Sequence, residues 1–192
     1  MKKRKILSII IAVIIALNCF SVFAIATPRT TQYHGISGIT RVKQAKSNWC
    51  WAACSEMVGK HYNSASGQNQ YSIVYHFNNN YDNVTATGAQ TAAAATYASG
   101  GTHTFTYMSS TLQFSQIVAR MQSNQPIIAG LTNWAGYGHL VVIYGTQFVD
   151  NASGLKHYVD VIDPLTGGSR HLEFSSFCSG ALYNLYYFET IV

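Results

Sequence analysis

Several features that assign a protein to a familiar class are missing from this 192-residue sequence. It contains no His-x-x-x-His or Cys-x-x-Cys pair, and structural metal sites normally show such paired ligand spacings. It also lacks an internal repeat and a glycine-rich loop of the phosphate-binding type. With only three prolines, it has no linker rich in proline, glycine or charge. We therefore expect one domain that needs neither a metal nor another cofactor.

The basic residues are concentrated at the N-terminus. Four of the twelve lysines and arginines occupy positions 2–5, followed by an apolar run over 6–23 and the small-x-small triplet Ala-Ile-Ala at 24–26. This is the pattern of a cleaved signal peptide. A retained membrane anchor is the alternative, because the run nears the length that spans a bilayer. The cleavage pattern followed at once by polar residues favours secretion, with residues 1–26 removed.

Without the signal peptide, eight lysines and arginines face seven aspartates and glutamates. The sequence pI of about 9.0 therefore reflects the targeting segment. No basic stripe interleaved with aromatic residues remains, which argues against a nucleic-acid partner. Residues 27–192 are enough for one domain with a proper core, and we expect a monomer without stable membrane association.

Helical patterns come first along the chain and strand patterns follow. Residues 27–43 predict an irregular or extended lead-in. Apolar spacing and stop signals predict helices over 48–62, 71–77, 88–99 and 114–123. Short β-rich runs predict strands over 127–131, 139–144, 158–162, 171–174 and 182–188. This order indicates an α+β fold in which the N-terminal helices pack on a C-terminal antiparallel sheet.

The segment from Gln44 to Cys54 is the most informative part of the chain. Gln44 precedes Cys50 by six residues, and Cys50 begins a mostly apolar helix. A cysteine at a helix N-terminus experiences the positive end of the helix dipole, which favours the thiolate. We expect Asn48 or Ser47 to cap this helix. The pattern predicts a thiol nucleophile, Cys50, with a side-chain amide nearby.

A thiolate that attacks an amide carbonyl also needs a base and a group that orients the base. His139 lies after Gly138 at the start of an apolar strand, which would hold the imidazole in place. Asp163 closes another strand just before Pro164, where side chains can leave the core. Asp160 is a rival, but its odd offset from Asp163 places it on the opposite face of the strand.

In this order, Gln44, Cys50-Trp51-Ala52-Ala53, Gly138-His139 and Asp163-Pro164 resemble the papain-like cysteine peptidases. The resemblance is to compact bacterial branches similar to bacteriocin-leader peptidases and to a secreted effector protease of plant pathogens. It implies that Cys50 is the nucleophile, His139 the general base and later acid, and Asp163 the orienting group. It further implies that Gln44 and the Cys50 backbone N–H form the oxyanion hole. Many papain relatives have asparagine where this chain has Asp163.

The remaining cysteines suggest a disulfide. Cys19 leaves with the signal peptide, so the secreted chain keeps Cys50, Cys54 and Cys178. One bridge and one free thiol is the economical arrangement in an oxidising compartment. If Cys50 is the free nucleophile, Cys54 and Cys178 are the expected pair, although sequence does not decide connectivity.

The leading functional interpretation is a secreted cysteine peptidase that acts on a peptide or protein substrate. One alternative is a binding or toxin-like module that keeps the scaffold without the activity. Such a module would be expected to lack one of the four candidate residues, and none is missing. Another is a different acyl transfer on the same residues, such as cell-wall amide hydrolysis or transglutamination.

Overall fold

The computed structural model describes residues 30–132, 138–151, 154–179 and 187–192, without the side chains of 187–190. The predicted signal peptide and the first five residues of the strand predicted over 182–188 lie outside these ranges. No helix within the described ranges is long and apolar enough to cross a membrane.

Five helices are present in the described residues. They are α1 (Cys50–Tyr62), α2 (Gln70–Asn78), α3 (Gly88–Ala98), α4 (Phe114–Gln122) and α5 (Phe174–Cys178). Local capping explains two of the starts: Asn69 accepts hydrogen bonds from the first turn of α2, and Thr87 forms a capping box with Gln90 at α3. The first four helices occur where the sequence predicts them, whereas the single-turn α5 has no periodicity that would predict it.

Seven strands of the described residues form one antiparallel sheet. They are β1 (Thr31–Gly35), β2 (Tyr107–Met108), β3 (Ile127–Thr132), β4 (Gly138–Asn151), β5 (Gly154–Asp163), β6 (Gly168–Glu173) and β7 (Tyr187–Ile191). Their order is β2-β7-β3-β4-β5-β6, and β1 pairs with the second half of β4. The sequence does not single out β1 and β2, because these segments are short and do not alternate clearly between apolar and polar residues.

The sheet separates two apolar clusters, since successive residues of a strand point to opposite faces. Ile128 and Val142 pack with the helices α1 and α3. Ile127, Ala129 and Val141 pack on the other face, where α4 and α5 contribute Ile117 and Phe177. The predicted α+β arrangement, in which the helix that begins with Cys50 packs on an antiparallel sheet, is confirmed.

Helices α1 and α3 approach closely at Gly59. A Cβ atom added to Gly59 would lie 2.5 Å from the backbone carbonyl carbon of Ala98. No side chain fits in that gap, so glycine allows the two helices to pack backbone to backbone. This contact fixes α1 from its C-terminal half, opposite to the end that carries Cys50.

Candidate active site

Helix α1 begins at Cys50, but its N-terminus is not capped as the sequence predicts. The N-cap residue is Trp49, and no side chain makes a capping hydrogen bond there. The expectation that Asn48 or Ser47 caps the helix is therefore wrong. Their side chains turn away to a neighbouring loop, because that loop offers them complementary polar groups.

The neighbouring loop holds the residues before Cys50 through Asn83. Asn83 Oδ1 accepts a hydrogen bond from the backbone N–H of Asn48 at 2.9 Å, and Asn83 Nδ2 donates to Ser47 Oγ at 2.7 Å. The Asn48 side chain donates to the Asn83 carbonyl at 2.8 Å. Two indole N–H groups, of Trp49 and Trp51, donate to backbone carbonyls of the same loop. Tertiary contacts thus replace a local cap at the start of α1.

His139 and Asp163 are brought together by strands β4 and β5. His139 Nε2 lies 2.8 Å from Asp163 Oδ1. The His139 side chain also makes a hydrogen bond to Cys50, and since Nε2 faces Asp163, the nitrogen facing the thiol is Nδ1. The three side chains therefore form a continuous chain from thiol to imidazole to carboxylate.

The surroundings of His139 favour its protonated form. Burial alone lowers the pKa of His139, but its hydrogen bonds to Asp163 and Cys50, and the charges of those two groups, raise it from 6.5 to about 9. Burial acts to raise the pKa of Asp163. The hydrogen bond to His139 and the charge of His139 outweigh the effect of burial. With smaller contributions from the Leu165 N–H and Arg170, they lower the pKa of Asp163 overall. The pair therefore favours imidazolium next to carboxylate at neutral pH.

Asp163 is the carboxylate next to His139, and Asp160 is engaged elsewhere. The Asp163 side chain is 2 % exposed, and its Oδ1 also accepts a hydrogen bond from the Leu165 N–H at 3.0 Å. Asp160 Oδ1 lies 2.6 Å from Nδ1 of His171 on β6. The structure thus brings together Cys50, His139 and Asp163 and leaves Asp160 outside the group.

Gln44 lies in the loop before α1 with its amide turned toward that loop. Its Nε2 donates to the carbonyls of Lys46 at 2.9 Å and Ser47 at 2.7 Å. The opposite amide orientation would place Oε1 against both carbonyl oxygens, so the assignment is determined by the contacts. Gln44 Oε1 is buried and has no hydrogen-bond partner among the described residues. Both amide hydrogens are thus used within the loop.

A cavity of about 160 Å³ lies over Cys50 and His139. One wall is formed by Trp51 and the start of α3, and the other by β3 and β4. The wall residues include Ala86, Gly88, Thr91, Gly130, Leu131 and Leu140. Gln44 does not line this cavity. The sequence gives no indication of the α3 wall, because these small residues become part of the site only through the packing of α3 against α1.

The predicted disulfide between Cys54 and Cys178 is not formed. Cys50, Cys54 and Cys178 are all free thiols. Cys54 belongs to the cluster between α1 and the sheet, whereas Cys178 packs on the opposite face, so the sheet separates them. Burial, with smaller effects of Cys50 and Asp163, raises the pKa of Cys54 well above its usual value. Burial also raises the pKa of Cys178, to about 11, so both thiols stay protonated at neutral pH.

The part of the chain that the structure describes contains no group of three or more His, Cys, Asp or Glu side chains arranged to hold a metal ion. The chemistry available at the site is that of a thiol, an imidazole, a carboxylate and backbone or side-chain amides. This set is sufficient for nucleophilic attack on a carbonyl, proton transfer to a leaving group and hydrolysis of the acyl intermediate.

Comparison with known protein families gives a match over most of the chain. The family model described as papain-like cysteine protease AvrRpt2 matches residues 34–181 of the chain. This range contains Gln44, Cys50, His139 and Asp163. No curated protein sequence matches the chain.

Proposed function

The chain belongs to the papain-like cysteine protease AvrRpt2 family and is a cysteine-type peptidase, and we propose that Cys50, His139 and Asp163 are its catalytic triad. A protease of this kind acts on a peptide or protein substrate. The observation that carries the proposal is the unbroken contact from Cys50 through His139 to Asp163, with Nε2 to Oδ1 at 2.8 Å, beneath a cavity.

Before the attack, the proton of the Cys50 thiol has passed to Nδ1 of His139, in line with the imidazolium that the site favours. The thiolate attacks the substrate carbonyl carbon, and the tetrahedral intermediate breaks down when the imidazolium protonates the leaving amine. Water then attacks the thioester while His139 takes its proton, and the carboxylic acid product leaves with Cys50 restored. Asp163 holds the ring so that Nδ1 faces the thiol throughout, and its charge stabilises the imidazolium.

The oxyanion that develops on the carbonyl oxygen needs hydrogen-bond donors. The backbone N–H of Cys50 lies in the first turn of α1, where N–H groups have no acceptor within the helix. We assign the second donor to Gln44 Nε2. Because both of its hydrogens are directed at loop carbonyls, this role requires one of them to exchange the Lys46 or Ser47 carbonyl for the oxyanion.

The cavity sets a limit on the substrate next to the scissile bond. Its volume of about 160 Å³ is close to that of an apolar protein cavity that accommodates benzene. Its walls carry mainly small and aliphatic groups, among them Ala86, Leu131 and Leu140. We therefore propose that one aliphatic or aromatic substrate side chain occupies it, and that charged side chains are disfavoured there.

Secretion is part of the proposal and is supported by the N-terminal pattern of basic residues, apolar run and Ala-Ile-Ala triplet. We expect the protein to be found in the culture medium as a monomer that begins at Thr27. N-terminal sequencing of the exported protein tests this, and an exported chain that retains residues 1–26 would contradict it.

An epoxide thiol inhibitor combined with a peptide library tests the enzymatic proposal. Peptide mapping should find the inhibitor on Cys50 and not on Cys54 or Cys178, and the wild-type protein should cleave a set of library peptides identified by mass spectrometry. The Cys50→Ala variant should cleave none of them. Labelling at another cysteine, or cleavage by Cys50→Ala, would refute the assignment. The best-cleaved peptide then provides a fluorogenic substrate for kinetics.

A further inference from the structure

Gln70, the first residue of α2, makes an unusual contact with the loop before the nucleophile. Its side-chain oxygen accepts a hydrogen bond from the Ala45 N–H at 2.8 Å, and its side-chain nitrogen donates to the Lys43 carbonyl at 2.9 Å. These two backbone groups are on either side of Gln44. A single buried amide, in a residue only 7 % exposed, therefore clamps both peptide units that flank Gln44.

The clamp requires an amide in one orientation. Turning the Gln70 amide over would put its oxygen against the Lys43 carbonyl and its N–H against the Ala45 N–H. An apolar side chain of the same length would fill the space and leave both backbone groups without these partners. The contact is thus specific to a group that both donates and accepts.

The backbone of Gln70 is itself hydrogen-bonded to α1, the helix that begins with Cys50. Its backbone N–H donates to Oε2 of Glu56 at 2.8 Å, and Glu56 Oε1 forms a 2.5 Å ion pair with Lys60. Both residues belong to α1, which begins with Cys50. The position of Gln70 is therefore tied to the element that carries the nucleophile.

A third contact fixes Gln44 from the side of the triad. The Gln44 backbone N–H donates to the Pro164 carbonyl at 2.8 Å, and Pro164 directly follows Asp163. The backbone around Gln44 is thus held between the start of α2 and the end of β5. Its side chain, in contrast, has a buried oxygen without a hydrogen-bond partner among the described residues.

We propose that Gln70 is a positioning residue for the oxyanion hole. It fixes the backbone on both sides of Gln44, so that the Gln44 amide can leave a loop carbonyl for the oxyanion while its Cα stays in place. This inference rests on the proposed role of Gln44 as oxyanion donor. Gln70 touches neither the substrate nor the thiol, and acts only through Gln44.

The test is a double-mutant cycle with Gln44→Ala and Gln70→Met, measured on the fluorogenic peptide and normalised to active sites titrated with the epoxide. Methionine keeps the length of the side chain and removes both polar groups. Gln44→Ala should lower kcat by about 100-fold, as loss of one oxyanion donor does. Gln70→Met should lower kcat by about tenfold with KM nearly unchanged, because small misplacements of catalytic groups are costly. In the Gln44→Ala background, Gln70→Met should change kcat by less than about twofold.

Alkylation of Cys50 by iodoacetamide separates positioning from general damage. This reaction needs the thiolate but develops no oxyanion, so its rate should stay within about twofold of wild type in Gln70→Met. Gln70→Asn, which keeps an amide on a shorter side chain, is the second variant and should fall between wild type and Gln70→Met. Gln116→Met is the matched control, because it removes a glutamine oxygen that accepts from a backbone N–H at 2.8 Å on α4. It should leave kcat unchanged.

The outcomes distinguish the inference from the function on which it rests. If Gln70→Met lowers kcat equally in both backgrounds, or slows alkylation as much as hydrolysis, its role is structural and the inference is wrong. If Gln44→Ala is impaired but Gln70→Met is fully active, the inference alone fails. If Gln44→Ala itself is fully active, the oxyanion role of Gln44 fails, and the role of Gln70 fails with it.

Discussion

Replacement of Asp163 by asparagine should change the pH range in which the enzyme works. The pKa of His139 is raised from 6.5 to about 9 despite its burial, mainly by hydrogen bonds to Asp163 and Cys50 and by their charges. This difference corresponds to about 3 kcal/mol in favour of the imidazolium. Asp163→Asn keeps an oxygen next to Nε2 but removes the negative charge of the carboxylate, so the pKa of His139 should fall from about 9 toward 6.5.

The alkaline limb of kcat/KM reports the loss of the proton that His139 gives to the leaving amine. We expect this limb near pH 9 in the wild-type enzyme and about one pH unit or more lower in Asp163→Asn. At the pH optimum, Asp163→Ala should lower kcat by about 100-fold or more, and Asp163→Asn by less, since an amide can still orient the ring. Asp160→Asn is the matched control, because its carboxylate bonds to His171, and its alkaline limb should stay in place.

The same shift predicts the pH dependence of stability. A histidine whose pKa is higher in the folded than in the unfolded state stabilises the fold fully below 6.5, and this contribution is lost as the pH rises through about 9. In urea unfolding, the free energy of unfolding of the wild type should therefore fall by up to about 3 kcal/mol as the pH rises across this range. That of Asp163→Asn should fall by less. An alkaline limb of Asp163→Asn that coincides with that of the wild type would refute this account of the carboxylate.

Three further predictions concern the cysteines and the helix packing. Cys50→Ala should abolish peptide cleavage, whereas Cys54→Ala should keep substantial activity in its folded fraction; equal losses would contradict the choice of nucleophile. Thiol titration of the denatured, unreduced protein should count Cys50, Cys54 and Cys178 as free, and a mapped Cys54–Cys178 peptide would contradict the structure. Gly59→Ala should lower the free energy of unfolding, measured with urea, by more than about 2 kcal/mol, because its Cβ would meet the backbone of α3 at 2.5 Å. Gly67→Ala, whose Cβ would meet nothing within 4 Å, is the control and should change stability by less than about 1 kcal/mol; equal effects of the two would show that the α1–α3 contact is not tight.

The local features of this protein are readable from its sequence, because they depend on short-range spacing. The apolar pattern after Cys50 predicts α1, and the order of helices before strands predicts the α+β class. The six-residue offset from Gln44 to Cys50 and the family resemblance indicate a cysteine peptidase, which the match over residues 34–181 supports. The choice of His139 and Asp163 follows from strand ends and neighbouring glycine and proline, and their roles stay a prediction for the experiments above.

Contacts between distant segments were decided by the tertiary structure. The register of β4 and β5 shifts between Ile143 and Gly145, so that Asp160 lies opposite Gly145 and next to His171 while Asp163 reaches His139. No sequence pattern specifies such a bulge reliably.

The cysteines and the loop before α1 show the same limit. The number of cysteines suggests a disulfide between Cys54 and Cys178, but the two residues lie on opposite faces of the sheet. Likewise, Asn83 and Gln70 hold the residues around Gln44 and Cys50 from segments more than twenty positions away. Side-chain types and periodicity determine which helices and strands form. Which buried polar groups meet depends on the packing of those elements, because each hydrogen bond needs its partner within about 3 Å.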